Sequence, residues 1–142
     1  MLRVGAHVSI SGGVEKAVSR EVDVGGNTGQ IFVGSPRGWK VNEIDSDEAA
    51  DFKRETEEAD VGPWIVHGTY LINFATPKDD LATKSINTVQ AELEACADLG
   101  IEFYTFHPGS HTGAGVDTGV QNIAERISEL EIPEEVTLLL EN

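Results

Sequence analysis

Cysteine is almost missing from this chain, basic residues are scarce, and no long apolar run occurs; each shortage rules something out. Cys96 is the single cysteine, so no intrachain disulfide can form and a reducing, cytoplasmic setting is expected. Lys and Arg number 10 against 25 Asp and Glu, a formal net charge of −15. That balance excludes broad electrostatic attraction to nucleic acid or to an anionic membrane, although a locally basic groove stays open. The acids are scattered over expected helix faces rather than gathered in a tail. They read as a solvated surface, and the preferred form of that reading is adaptation to high salt, since only five of the basic residues are Lys. No apolar stretch approaches the about 20 residues of a membrane span, and no signal-peptide pattern opens the sequence. A soluble, unsecreted protein is expected, with no membrane partner.

What is present is an alternation of strands and helices across one domain, 1–142. Residues 2–8 read as a first strand ending near His7. Ser11 is placed to cap a short helix whose apolar side holds Val14, Ala17 and Val18. Residues 28–33 form a second strand, closed by Gly34-Ser35-Pro36. Asp45 and Glu48 have capping-box spacing before a helix with Ala49, Phe52, Thr56 and Ala59 on one face, ended by Gly62-Pro63. A third strand runs from Trp64 to His67. Thr76-Pro77 then opens the longest helix, with Pro at its first position; Ile86, Val89, Leu93 and Cys96 recur along it, and Gly100 stops it. Residues 102–106 are rich in aromatic and β-branched side chains and form a fourth strand. Val120, Ile123, Ile127 and Leu130 stripe a further helix, and a fifth strand starts at Val136. No linker, low-complexity tract or internal repeat interrupts the pattern.

Five strands alternating with four helices call for parallel pairing and right-handed crossovers. Three consecutive strands each deliver a metal-competent side chain at the C-terminal end: His67, followed by Gly68; His107, followed by Pro108-Gly109; and Glu141. An α/β barrel keeps its chemistry at that end, whereas a doubly wound open sheet would gather ligand groups around one switch point. The fold expected is therefore α/β, the N-terminal five-stranded portion of a TIM-type (β/α)8 barrel. A complete barrel needs about 250 residues, and a fifth strand with no neighbour beyond it leaves an edge open to self-association. Neighbouring strands lie about 4.8 Å apart, so side chains at adjacent ends can converge on one ion. Two histidines and a carboxylate with an open position form a recurring zinc set. His7 and His111 are either outer partners that orient a ligand or polar residues near the mouth.

These residues carry a resemblance. His67-Gly68-Thr69-Tyr70-Leu71-Ile72-Asn73, Phe106-His107-Pro108-Gly109-Ser110-His111 and Leu140-Glu141-Asn142 resemble the endonuclease IV family of apurinic/apyrimidinic endonucleases. Val4-Gly5-Ala6-His7-Val8-Ser9 with Gly12-Gly13, and Arg37 two residues before Trp39, are similar too. The resemblance runs through the chain in order. It implies a zinc-dependent, three-ion enzyme on a TIM-type barrel that cuts double-stranded DNA on the 5′ side of abasic sites. It further implies that His67 and His107 ligate one zinc, that Glu141 bridges this zinc to a second and serves catalysis, and that Arg37, Tyr70 and Leu71 contact the DNA. Gly38 departs from relatives that often carry a larger polar residue after the arginine. The remaining metal ligands of the family come from later strands, so this chain alone is expected to be catalytically incomplete. The rival readings are a sugar isomerase-like metal-dependent barrel, against which the Arg37 loop and the Tyr70-Leu71 pair speak, and a non-catalytic truncated remnant.

Overall fold

The three central strands are buried on the side facing the helices and more open on the other, whereas the first and last strands are largely exposed. In the computed structural model, which describes residues 1–142, the elements are β1 (Gly5–His7), α1 (Lys16–Asp23), β2 (Thr28–Ile31), α2 (Ser46–Ala59), β3 (Trp64–His67), α3 (Asp79–Leu99), β4 (Phe103–Phe106), α4 (Val116–Ser128) and β5 (Thr137–Leu140). The five strands form one sheet in the order β1-β2-β3-β4-β5, and every neighbouring pair is parallel. This is the N-terminal five-stranded portion of a TIM-type barrel. Ile31, Val66, Tyr104 and Phe106 are fully buried against the helices. Their neighbours of opposite parity, Gln30, Ile65 and Phe103, are only half-buried on the concave side. Side chains two residues apart share a face, so the concave face also receives His67, His107 and Glu141.

The helix layer supplies Ala17, Val18, Phe52, Val89, Leu93, Cys96 and Leu99 to the same core. Several boundaries differ from those the sequence suggests. Ser11 caps nothing: Gly12 and Gly13 have φ of 90° and 132°, a region closed to right-handed helix, and α1 starts only at Lys16. The bend is held by Arg20, which donates to the carbonyls of Ser9 at 2.6 Å and Ser11 at 2.7 Å. Asp45 does cap α2, accepting from the amides of Asp47 and Glu48. Glu48 does not complete the box; it accepts instead from the Val14 amide at 3.0 Å and ties α2 to the α1 loop. Ala59 is exposed. Pro77 precedes α3 rather than opening it: Lys78 is extended, and Thr76 Oγ1 accepts from its amide at 3.2 Å. On α4, Ile123 and Ile127, with Leu130 just beyond its end, pack against the core, whereas Val120 is 60 % exposed.

Candidate metal centre

The ladder continues one residue past the ends of two strands and thereby fixes the site. Gly68 donates its amide to the Thr105 carbonyl at 2.7 Å, and Glu141 donates to the Phe106 carbonyl at 3.1 Å. His67 and Glu141 are thus held by backbone hydrogen bonds at the C-terminal ends of β3 and β5, with His107 immediately after β4 between them. One nitrogen or oxygen from each of His67, His107 and Glu141 lies within 4.8 Å of the others. His67 Nε2 is 3.2 Å from Glu141 Oε2, and His107 Nε2 is 3.9 Å from Glu141 Oε1. His67 is buried, while the side chains of His107 and Glu141 are each about half exposed. The structure therefore brings together all three residues that the sequence singles out for metal.

The hydrogen-bond roles suit a cation. His67 Nδ1 lies 2.7 Å from the Gly68 carbonyl, which can only accept, so Nδ1 carries the hydrogen. The Nε2 of the neutral ring then points a lone pair at a carboxylate oxygen, and two acceptors face one another. Only a proton or a cation between them resolves that contact. Two imidazoles and a carboxylate are a donor set that zinc accepts, and the carbonyl on Nδ1 is the kind of outer partner that orients a ligating imidazole.

Aromatic rings wall the cluster. Tyr70 is 59 % exposed, yet its ring stands edge-on to His67 at 5.6 Å and to Phe32 at 5.4 Å, and lies 6.2 Å from His107. Leu71 is half-buried beside it, and Arg37 is exposed on the loop after β2. That loop and the β3 loop are joined at the Pro36 carbonyl, which accepts from Thr69 Oγ1 and from the Tyr70 amide, both at 3.0 Å. The β3 and β4 loops are joined in turn. Asn73 donates to the Ser110 carbonyl at 3.0 Å and accepts from the Ser110 amide at 3.1 Å, and the Pro108 carbonyl accepts from the amides of Phe74 and Ala75. The mouth is a single hydrogen-bonded rim rather than three free loops.

The other candidate histidines lie outside the triad. His7 sits 6.4 Å from His67, ring to ring. It packs on Phe32 at 4.2 Å, with Nδ1 2.8 Å from Gln30 Nε2; burial, and secondarily His67, lower its pKa from the ordinary value of 6.5. His111 Nδ1 accepts from the amides of Gly113 and Gly115, each at 3.2 Å, and shapes the turn before α4. Sequence reasoning missed Phe32, which packs on His67 and Tyr70, although it directly follows β2 with the parity of the inward-facing Gln30. Asn73 lay inside a quoted motif, but its partner is 37 residues away.

A family model described as xylose isomerase-like TIM barrel matches residues 18–142. The chain belongs to that family. Within this family it is similar to proteins named probable endonuclease 4. It is 54% identical to one from Halobacterium salinarum over 99% of this chain and 51% of the relative, and 51% identical to one from Haloarcula marismortui over 100% of this chain and 51% of the relative. Among solved structures, endonuclease IV from Thermus thermophilus superposes with a TM-score of 0.86 at 30% identity, covering 99% of this chain and 52% of that one. The resemblance read from the three motifs therefore extends along the chain, and the chain spans about half the length of the relatives it matches. No helix is long and apolar enough to cross a membrane.

Proposed function

We propose that this chain forms the first four β/α units and the fifth strand, an incomplete TIM-barrel domain, of a zinc-dependent apurinic/apyrimidinic endonuclease. The reaction is hydrolysis of the phosphodiester bond 5′ to an abasic site in double-stranded DNA, in the service of DNA repair. One observation carries the reading: His67, His107 and Glu141 converge at three successive strand ends, their ligand atoms within 4.8 Å of one another. Zinc held there would act as a Lewis acid toward a phosphodiester oxygen. Glu141, with two carboxylate oxygens, is the ligand able to reach a second ion supplied by later units. His67 is the rigid ligand, buried and oriented by the Gly68 carbonyl.

The DNA reaches this centre over the joined rim. Tyr70 offers a flat, exposed ring for stacking, Leu71 an apolar wedge, and Arg37 a cation toward a phosphate or the groove. An exposed aromatic and an arginine on adjoining loops match the base stack and phosphates of DNA better than a small neutral sugar, so the nuclease reading is preferred to the isomerase-like one.

The test is a zinc titration of the chain by calorimetry, followed by binding to a duplex bearing one stable abasic-site analogue. The expected result is one zinc per chain and preference for the abasic duplex over an intact one. Zinc uptake that persists in a His67→Ala, Glu141→Gln double variant, or equal binding of both duplexes, would overturn the assignment.

A further inference from the structure

Helix α3 carries a carboxylate where its stripe calls for an apolar residue. Glu92 stands three residues after Val89 and four before Cys96, in the buried face of α3, and is 2 % exposed. Burying a carboxyl group is costly unless both oxygens find donors, and a leucine or methionine would fill the space without that cost. Both oxygens do find donors. Oε2 accepts from the Tyr104 hydroxyl at 2.6 Å, and Oε1 accepts from the Thr69 amide at 3.3 Å. Thr69 is two residues beyond His67 and directly precedes Tyr70.

The intervening Gly68 explains why the fit is close. A Cβ at that position would stand 2.5 Å from the Tyr104 hydroxyl oxygen and 2.9 Å from Phe106 Cβ, so the chain passes directly over the Glu92–Tyr104 pair. Thr69 is then held twice: from below by Glu92 through its amide, and from the side by Pro36 through its hydroxyl. Tyr70 donates to the same Pro36 carbonyl, one residue before Arg37.

We propose that Glu92 is a positioning residue for the substrate rim. Acting through Thr69, it sets the Tyr70 ring against His67 and fixes the Arg37 loop to the β3 loop, while touching neither metal nor DNA. This inference rests on the DNA-binding roles given above to Tyr70 and Arg37. It differs from a packing role in one respect: function and stability should separate. Glu92→Met keeps the volume and removes both acceptors, a change that is often neutral or stabilising for a buried ionisable group. Glu92→Gln keeps an oxygen for the Thr69 amide and offers its NH2 group to the Tyr104 oxygen.

The experiment uses the full chain in molar potassium chloride with three readouts: thermal midpoint, affinity for the abasic-analogue duplex, and hydrogen exchange at the Thr69 amide. Glu92→Met should unfold no earlier than the parent, exchange Thr69 faster, and bind the duplex about tenfold more weakly, the scale of one lost buried hydrogen bond. Glu92→Gln should restore binding to within about threefold of the parent, as a retained Thr69 contact requires. Unchanged duplex affinity in folded Glu92→Met would overturn the inference, as would losses in both variants that simply track their thermal midpoints. If the parent chain itself shows no preference for the abasic duplex, the functional reading fails instead. Thr69 exchange then decides alone, and equal protection in the parent and Glu92→Met refutes the clasp.

Discussion

Removing one side chain at a time should separate the proposed metal-holding residues from the proposed DNA-holding ones. His67→Ala takes away a buried imidazole, the proposed zinc ligand, whose Nδ1 lies against the Gly68 carbonyl. Outer partners of a ligand are already worth about 10- to 100-fold in affinity, so loss of the ligand itself should weaken zinc binding by more than about 100-fold, measured by competition with a chromophoric chelator. Tyr70→Ala and Arg37→Ala lack metal chemistry; each should weaken binding of the abasic duplex by about tenfold, the worth of one stacked base or one phosphate contact, and leave zinc affinity within about twofold. Variants that lost zinc and kept normal duplex affinity would reverse the assigned roles. Glu92 gives a third, pH-dependent test. Burial pushes its carboxyl up from 4.5 to about 7, against the opposing pull of hydrogen bonds from Tyr104 and Thr69. A protonated carboxyl can donate to the Tyr104 oxygen and still accept from Thr69, so the clasp survives either form. Because the folded value is the higher one, the folded chain holds a proton that the unfolded chain has released. The associated stability is complete below about 4.5 and is lost as pH rises through about 7. Over that window it amounts to about 3 kcal/mol. The gap in unfolding free energy between the parent and Glu92→Gln, measured in urea, should therefore shrink or change sign between those pH values; a constant gap would mean that Glu92 titrates as it does in the unfolded chain.

At the scale of elements, the strands were legible because they end where chemistry begins. His67 and His107 each follow a run of aromatic or β-branched residues and precede a glycine turn, and Glu141 closes an aliphatic run, so period and punctuation agreed. The helix starts were harder to read. Ser11 has the side chain of a cap, but the two glycines after it occupy backbone regions closed to helix, and conformation outranks capping chemistry. The Asp45–Glu48 pair shows the same limit. Spacing identified the cap correctly, yet the partner of Glu48 is Val14, 34 residues away, and no local pattern encodes that. Val120 read as core because an i, i+3, i+7 stripe cannot say which neighbour covers it. Glu92 went unread because an acid inside a stripe looks like an interruption until the residue above it is known. The two acids of α2 should therefore respond differently. Asp45→Ala removes the one carboxylate oxygen that accepts from two helix amides and should cost about 1 kcal/mol of unfolding free energy. Glu48→Ala breaks a link between two elements and should expose the Val14 amide to exchange. If Val14 exchange is unchanged in Glu48→Ala, the stitch between α1 and α2 is not formed in solution.

The whole molecule combines a strongly acidic composition with a site proposed to meet a polyanion. With a net charge of −15, self-repulsion and repulsion from DNA are both largest at low salt and shrink as the screening length falls to about 3 Å at 1 M. Relatives from Halobacterium salinarum and Haloarcula marismortui fit the proposed adaptation to high salt. Affinity for the abasic duplex should therefore persist at molar salt, carried by stacking and metal contacts rather than by ion pairs. A steady fall from low to molar salt would count against the adaptation. The last expectation concerns turnover. The only group of three or more metal-competent residues whose ligand atoms cluster is His67, His107 and Glu141, whereas the family resemblance implies three ions. The chain also covers about half of each relative, and β5 pairs only with β4, leaving Leu139 and Leu140 39 % and 51 % exposed. An unpaired apolar edge favours pairing with another chain, so the 142-residue chain should show concentration-dependent self-association in sedimentation velocity. One metal can bind and polarise a phosphodiester, but the departing oxygen and the attacking water both need stabilisation, which two-metal sites divide between ions. The chain alone should accordingly bind zinc and prefer abasic DNA without incising it. Incubation with zinc and a duplex carrying one abasic site, resolved on a denaturing gel, tests this directly: the duplex should stay intact, and specific 5′ incision at a rate near that of a full-length relative would show that these five strands and four helices suffice.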